Sequence, residues 1–229
     1  MQIERMDRVG GLGMATKSKL KRAEIAEAFA RFAEANPEPL GELDFTTTFT
    51  LLVAVVLSAQ TTDRAVNQVT KRLFAVADTP EKMLALGEDK LMEHTQPLGF
   101  FRAKARNVLA LSQALIERHN GHVPREREAL EALPGVGRKS ANVVLNTAFG
   151  EPVIAVDTHV FRVSNRTGLA PGSTPAEVEE ALQKVVPEPF KRNAHHWLIL
   201  HGRYVCKARL PECPRCLISD ICRYPAKTV

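Results

Sequence analysis

The first 205 of the 229 residues contain no cysteine, and all four cysteines lie between Cys206 and Cys222. A disulfide framework would spread its cysteines to link distant parts of the fold, so this clustering indicates a metal site instead. The sequence also lacks an apolar run of about eighteen residues, the length that a membrane-spanning helix needs. The polar first 22 residues contain no apolar core of a secretory signal. These absences predict that no segment spans a membrane and favour a cytoplasmic protein.

Alternating strand patterns and hairpin dipeptides are also missing, and apolar residues recur at helical spacing almost throughout the chain. Residues 46–60 are apolar nearly all round, which predicts a fully buried helix. Thr79-Pro80 is typical of a helix start, and Gly87 predicts the end of that helix. Thr174-Pro175-Ala176-Glu177 is typical of a capping box with proline in the first helical position. The sequence therefore predicts an all-α fold, although no domain boundary is evident from these patterns.

Positive charge is concentrated at the two ends of the chain. Residues 1–22 and residues 203–229 each contain six Lys or Arg against two acidic residues, whereas the whole chain has a net charge of +5. Each end is therefore about +4, and the middle is slightly acidic. Two solvated tails would account for this distribution, and contact with the phosphates of a nucleic acid is the alternative.

A glycine-containing loop, Leu133-Pro134-Gly135-Val136-Gly137, separates two predicted helices at about 127–132 and 138–149. Its two glycines allow a sharp turn and let a ligand approach the backbone, and the next helix begins at once with unpaired N–H groups. The spacing fits neither a P-loop nor a dinucleotide-binding fingerprint. A simple tight turn is one interpretation, and a helix–hairpin–helix clamp on a DNA backbone is favoured. The clamp would use Leu133, Gly135, Val136, Gly137 and Arg138.

Lys139 occupies the first turn of the helix after this loop, although helices favour cations in their last turn. A local preference that is broken beside a ligand loop indicates function. The helix N-terminus and the neighbouring Arg138 both disfavour the ammonium form, and so favour the free amine that a nucleophile needs. Contact with a phosphate is the alternative role for Lys139.

Asp157 ends the apolar run that begins at Val153. It could act as the N-cap of a helix over about 160–167. It could also be the carboxylate partner of Lys139 in chemistry on a sugar, and one role does not exclude the other.

The spacing Cys206-x6-Cys213-x2-Cys216-x5-Cys222 places four thiolate ligands within seventeen residues. Cys₄ zinc sites usually pair two C-x2-C units, and only Cys213 and Cys216 have that spacing here. Iron–sulfur clusters also take four cysteines and accept other spacings. The spacing alone leaves both metals open and slightly favours a cluster.

Taken together, residues 57–63, 133–142 and 156–159 and the cysteine cluster resemble endonuclease III, a bacterial DNA glycosylase/AP lyase family of the helix–hairpin–helix superfamily. The resemblance extends from about residue 23 to about residue 224. It implies two helical domains: a six-helix barrel over 41–151 that carries the hairpin, and a second domain formed by 1–40 and 152–229. The second domain would hold a 4Fe–4S cluster on the four cysteines, and the cleft between the domains would hold Lys139 and Asp157.

The resemblance also implies a mechanism in base-excision repair. An oxidised pyrimidine is flipped out of double-stranded DNA, the Lys139 amine attacks C1′, and the base leaves with the assistance of Asp157. The resulting Schiff base permits β-elimination 3′ to the lesion, so that an abasic nucleotide is also a substrate. Gln60 matches the position that fills the space left by the flipped base. Phe100 stands where the family more often has an aliphatic wedge, and a core aromatic is its alternative role.

The matched segment Val156–His159 adds His159 to the expected DNA contacts. The expected protein is a monomer that acts at the nucleoid in the cytoplasm, with no membrane partner. An adenine glycosylase of the same superfamily is the nearest alternative, but those relatives usually lack lysine at the position of Lys139. A non-catalytic DNA-binding module is the alternative from another class. The basic tail of about twenty residues has no matched role.

Overall fold

A computed structural model describes residues 18–228, so most of the basic tail at 1–22 lies outside the described residues. The described part contains α-helices and short 3-10 helices, and no strand. None of its helices is long and apolar enough to cross a membrane. The prediction of an all-α fold is confirmed. The eleven α-helices are α1 Arg22–Ala35, α2 Thr48–Leu57, α3 Asp63–Leu73, α4 Pro80–Leu86, α5 Glu88–Thr95, α6 Phe101–His119, α7 Arg127–Glu131, α8 Arg138–Phe149, α9 Thr158–Thr167, α10 Pro175–Val185 and α11 Lys191–Tyr204.

The chain forms two compact units, and the first is Gly41–Glu151 with helices α2–α8. Its central element is α2, in which every residue from Phe49 to Leu57 is buried. A helix that is apolar on all sides can only be stable when other helices surround it. Helices α3, α6 and α8 pack on α2, while α4 and α5 pack on α6. The short α7 packs on α8, and this contact holds the loop between them.

The second unit combines the described residues of Met1–Leu40 with those of Pro152–Val229, so that α1 packs with α9–α11. Its core contains an aromatic cluster in which the ring centroids of Phe29 and Trp197 are 6.3 Å apart. The indole Nε1 of Trp197 donates a 2.8 Å hydrogen bond to the carbonyl of Asn36, just after α1 ends. These contacts attach the N-terminal helix to a part of the chain more than a hundred residues away.

The predicted helix starts are largely confirmed. The Thr79 hydroxyl accepts a hydrogen bond from the Lys82 N–H at 3.3 Å, and Gly87, with φ +81°, ends α4. The Thr174 hydroxyl likewise accepts from the Glu177 N–H at 3.2 Å. The reciprocal half of the capping box is wrong, because the Glu177 carboxylate accepts from the Ser173 N–H instead, at 2.8 Å. The carboxylate reaches one residue beyond the cap and so pairs a different backbone donor.

Candidate functional site

The loop between α7 and α8 is a tight hairpin anchored by two apolar side chains. The Val136 N–H donates to the Leu133 carbonyl at 3.1 Å, which closes the turn. The side chains of Leu133 and Val136 are both buried. The loop backbone is therefore held against the first unit by packing as well as by its own hydrogen bond.

The two glycine positions of the hairpin differ in whether the structure requires glycine there. Gly135 has φ +79°, and a Cβ there would lie 2.9 Å from the Cβ of Asn107 on α6, so no other residue fits without strain. Gly137 has φ −104°, which any residue adopts, and a Cβ there would meet nothing within 4 Å. Internal packing thus requires glycine at 135 but not at 137. Open space in front of the Gly137 backbone is what a ligand that contacts the main chain would need.

Gly137 is also the N-cap of α8, and no side chain caps this helix. The first helical hydrogen bond in the turn runs from the Ala141 N–H to the Gly137 carbonyl, at 2.9 Å. The N–H groups of the residues before Ala141 therefore point out of the helix start, where the helix dipole favours an anion. Lys139 lies in this first turn and is exposed.

The resemblance implies that Gln60 fills the space left by the flipped base and that Phe100 is a wedge on the opposite strand; the two are called the wedge residues below. They share an uncommon backbone conformation. Their φ angles are +54° and +58°, and only Asn120 joins them among the non-glycine residues that the structure describes. Both side chains are exposed, Phe100 by 65%. The alternative role of Phe100 as a core aromatic is therefore wrong, because its ring projects from the start of α6 into solvent. Left-handed backbone at non-glycine residues is costly and is concentrated at functional sites.

In the second unit, Asp157 is the N-cap of α9. Its Oδ1 accepts hydrogen bonds from the N–H groups of His159 and Val160, at 2.9 and 2.8 Å. No described residue donates a hydrogen bond to Oδ2, so the cap fixes the carboxylate while leaving one oxygen for other chemistry. Lys139 belongs to the first unit and Asp157 to the second.

His159 lies in the first turn of α9 and is partly buried. Its Nδ1 is 3.2 Å from a guanidinium nitrogen of Arg162, and burial lowers the pKa of its imidazole. The residue packs closely on α11, because a Cβ on Gly202 would lie 2.8 Å from the His159 Cβ.

The four cysteines are unpaired thiols that line one cavity behind the end of α11, together with Thr167, His201 and Tyr224. Burial raises the pKa of Cys206, Cys216 and Cys222, that of Cys216 to about 11. A metal has to displace protons from such thiols. Over residues 18–228, no group of three His, Cys, Asp or Glu could hold a metal ion as the side chains stand. Four cysteines around one cavity nevertheless suit an iron–sulfur cluster, which is held by four thiolates at separate points.

Two arginines of α9, which the sequence analysis did not select, hold the loop that carries these cysteines. Arg162 Nε donates to the Cys206 carbonyl at 3.1 Å. Arg166 donates to the carbonyls of Lys207 and Ala208, both at 2.7 Å. Both arginines are buried, at 7% and 2% exposure. In the sequence, the only sign of this role is a pair of basic residues four apart in a short helix before the cysteine cluster. The sign is weak because the carbonyls that these arginines bind lie more than forty residues away.

Comparisons with known proteins agree with these features. Residues 53–188 match the model of the HhH-GPD superfamily base excision DNA repair protein. Endonuclease III of Haemophilus influenzae is 56% identical over 210 residues, which cover 92% of this chain and 98% of that protein. Endonuclease III of Escherichia coli K12 is 55% identical over the same shares. A structure of a trapped endonuclease III–DNA covalent intermediate, an estranged-adenine complex, matches with a TM-score of 0.84 and 46% identity, covering 89% of this chain and 96% of that chain. The chain therefore belongs to the HhH-GPD superfamily of base excision DNA repair proteins and, within it, to the endonuclease III family.

Proposed function

We propose that this protein is a bifunctional DNA glycosylase and AP lyase that removes oxidised pyrimidines from double-stranded DNA. The observation that carries the proposal is Lys139, an exposed amine in the first turn of α8, two residues after the open backbone of Gly137. A family member with DNA attached as a trapped covalent intermediate shares this fold. An adenine glycosylase without such a lysine and a non-catalytic clamp both leave the position of this amine unexplained.

The hairpin supplies the DNA contact in this proposal. A phosphate fits the open space before Gly137, where it can accept hydrogen bonds from the N–H groups at the start of α8. Such contacts set the register on the duplex without reading sequence. Leu133, Gly135, Val136 and Arg138 shape or flank this contact. Gln60 and Phe100 enter the base stack: Gln60 fills the space left by the flipped nucleotide, and Phe100 presses on the opposite strand. Both side chains are exposed and stand on backbone that is already held in the left-handed conformation.

The chemistry follows from the amine and the carboxylate. The Lys139 Nζ lone pair attacks C1′, the N-glycosidic bond breaks, and the base leaves with the bonding electrons and takes up a proton. Asp157 Oδ2, which accepts no hydrogen bond from a described residue, stabilises the positive charge that develops on the sugar and assists proton transfer. The Lys139 nitrogen then loses a proton, the C1′–O4′ bond breaks and O4′ takes up a proton, which opens the sugar ring and leaves a Schiff base between Lys139 and C1′. The Schiff base acidifies the C2′ hydrogen, and loss of that proton forms the C2′–C3′ double bond as the C3′–O bond breaks and the 3′ phosphate leaves. Water finally hydrolyses the Schiff base and releases Lys139.

We assign residues 41–151 to the six-helix barrel domain. We assign residues 1–40 and 152–229 to a second domain that would hold the 4Fe–4S cluster, with Cys206, Cys213, Cys216 and Cys222 as the four ligands. The fit rests on all four thiols lining one cavity and on buried Arg162 and Arg166, which offset the negative charge of bound thiolates. When bound, the cluster would link four points of the loop through iron–thiolate bonds. His159 would contact the DNA backbone beside Asp157, and the protein would act at the nucleoid as a monomer.

Borohydride trapping on duplex DNA that contains thymine glycol tests the proposal. Borohydride reduces a Schiff base to a stable amine, so the native protein should form a covalent adduct and Lys139→Gln should form none. Lys90→Gln is the matched control, because Lys90 is an exposed lysine on α5 of the same unit. Base release is measured in parallel without borohydride.

The outcomes separate the alternatives. If the native protein and Lys90→Gln form the adduct and Lys139→Gln does not, the result establishes that an amine is the nucleophile, that it is Lys139, and that an oxidised pyrimidine is a substrate. Base release without an adduct would contradict the lyase mechanism and favour a glycosylase that uses water. Tight binding with neither an adduct nor base release would favour a DNA-binding module.

A further inference from the structure

Lys104 is a buried lysine in the first unit that the proposed reaction does not use. It lies in the first turn of α6, and only 5% of its surface is exposed. Its Nζ donates a 2.5 Å hydrogen bond to the hydroxyl of Thr61, and no acidic side chain of the described residues forms an ion pair with it. Burial lowers the pKa of Lys104 with no opposing charge. Lysine is rarely buried unless it is paired with a carboxylate, so this placement calls for a reason.

The partner of Lys104 adjoins Gln60, although the two contacting residues are 43 positions apart in the chain. The Thr61 hydroxyl, which accepts from Lys104, also donates to the Ala59 carbonyl at 3.3 Å. A hydroxyl can do both at once. The hydrogen bonds therefore run from Lys104 to Thr61 and from Thr61 to Ala59, so they tie together the two sequence neighbours of one residue. That residue is Gln60, with its φ of +54°.

The backbone of the same lysine contacts the second strained residue. The Lys104 N–H donates to the Phe100 carbonyl at 3.1 Å, as the first helical bond of α6. Phe100 itself has φ +58° and precedes that helix as its N-cap. One residue therefore bonds to both loops that carry the expected wedges, to one through its side chain and to the other through its main chain.

We propose that Lys104 is a positioning residue that couples the Gln60 loop (Ser58–Thr62) to the Phe100 start of α6, so that both wedges enter the duplex as one rigid unit. The proposal rests on the proposed function, because it takes Gln60 and Phe100 as the residues that enter the base stack. Each left-handed residue would relax if it were free, and a mobile wedge would lose its orientation before the lesion is extruded. The bond from Lys104 removes that freedom before DNA binds, which is how a supporting residue acts at a functional site.

The coupling predicts a loss that depends on the substrate. A paired lesion in duplex DNA has to be unstacked by the wedges, whereas an abasic site in single-stranded DNA needs no unstacking. The measured quantity is the ratio of two single-turnover rates: excision of thymine glycol from duplex DNA, and strand cleavage at an abasic site in single-stranded DNA. Lys104→Met keeps the apolar stem and removes the donor, and should lower this ratio about tenfold, the effect of losing one charge-assisted hydrogen bond.

Variants of Thr61 provide the matching test from the other side, at a partly buried position where folding is less at risk than at Lys104. Thr61→Val should lower the ratio as Lys104→Met does, and Thr61→Ser should keep it, because serine retains the hydroxyl. The double variant Lys104→Met with Thr61→Val should lower the ratio no further than Thr61→Val alone, because Thr61→Val already removes the bond from Lys104 together with the bond to Ala59. Lys90→Met is the control for loss of a lysine in the same unit.

Equal ratios for the native protein and Thr61→Val would overturn the proposal. So would a loss of the same size on both substrates, since that indicates general destabilisation, or additive losses in the double variant. A native protein that excises no thymine glycol, and forms no adduct through Lys139, would instead overturn the proposed function. The two failures are thus distinguishable.

Discussion

The two hairpin glycines provide a test that separates stability from DNA binding. Gly135→Ala and Gly137→Ala add the same methyl group to the same loop, two residues apart. At 135 the methyl has to enter a left-handed backbone position 2.9 Å from Asn107, whereas at 137 it enters open space on ordinary backbone. The first change should therefore affect folding and the second should affect the ligand.

The cost at Gly135 has two contributions. A left-handed conformation costs a residue with a Cβ about 1–2 kcal/mol. Forcing a methyl into a packed contact adds about 1–3 kcal/mol, because Asn107 has to shift. We expect Gly135→Ala to lower the free energy of unfolding of the first unit by about 2–5 kcal/mol.

The change at Gly137 should be nearly neutral for stability. Alanine is a poorer N-cap than glycine, and this loss is offset in part by the lower conformational entropy of the unfolded chain, leaving a net change below about 1 kcal/mol. The methyl would, however, hold a phosphate away from the N–H groups at the start of α8. Losing one hydrogen bond to a charged group should weaken binding about tenfold or more.

Urea denaturation measures the first quantity, and titration of a labelled duplex that contains a stable abasic-site analogue measures the second. Both variants are compared with the native protein at one salt concentration, because binding to phosphates depends on salt. Native stability together with native affinity in Gly137→Ala would refute the placement of a DNA phosphate at this helix start. Native stability in Gly135→Ala would refute the close approach to Asn107.

Three further predictions concern the second unit. Asp157→Asn should lower turnover about a hundredfold or more while binding to abasic DNA persists, because asparagine retains the helix cap but not the charge. A parallel loss of binding in a DNA titration would contradict a catalytic role. Cys213→Ser should give insoluble or colourless protein, and a soluble variant that keeps its brown colour and iron content would show the cluster assignment to be wrong. Arg166→Met should reduce the iron retained after purification, since the carbonyls of Lys207 and Ala208 lose their donors, and full iron content would refute that positioning role.

Local patterns in the sequence determined the helices and their ends. The apolar run at 46–60 predicted the buried α2, and Thr79-Pro80 predicted the start of α4, because periodicity and capping depend on neighbours within about one helical turn. The order of the hairpin, Lys139, Asp157 and the four cysteines was sufficient to indicate the family. The same short range explains the error at Glu177, where the residue types were right but one hydrogen bond shifted by a residue.

Tertiary structure decided the contacts between residues that are distant in the chain. Gly135 is required partly by Asn107 on another helix, and Arg166 is required by carbonyls 41 and 42 residues away. The bond from Lys104 to Thr61 has no signature in either local sequence, because a lysine in a helix and a threonine in a loop are both ordinary until packing buries them together. Hydrophobic periodicity shows which face of a helix is buried, but only the packed fold shows which polar group that face meets.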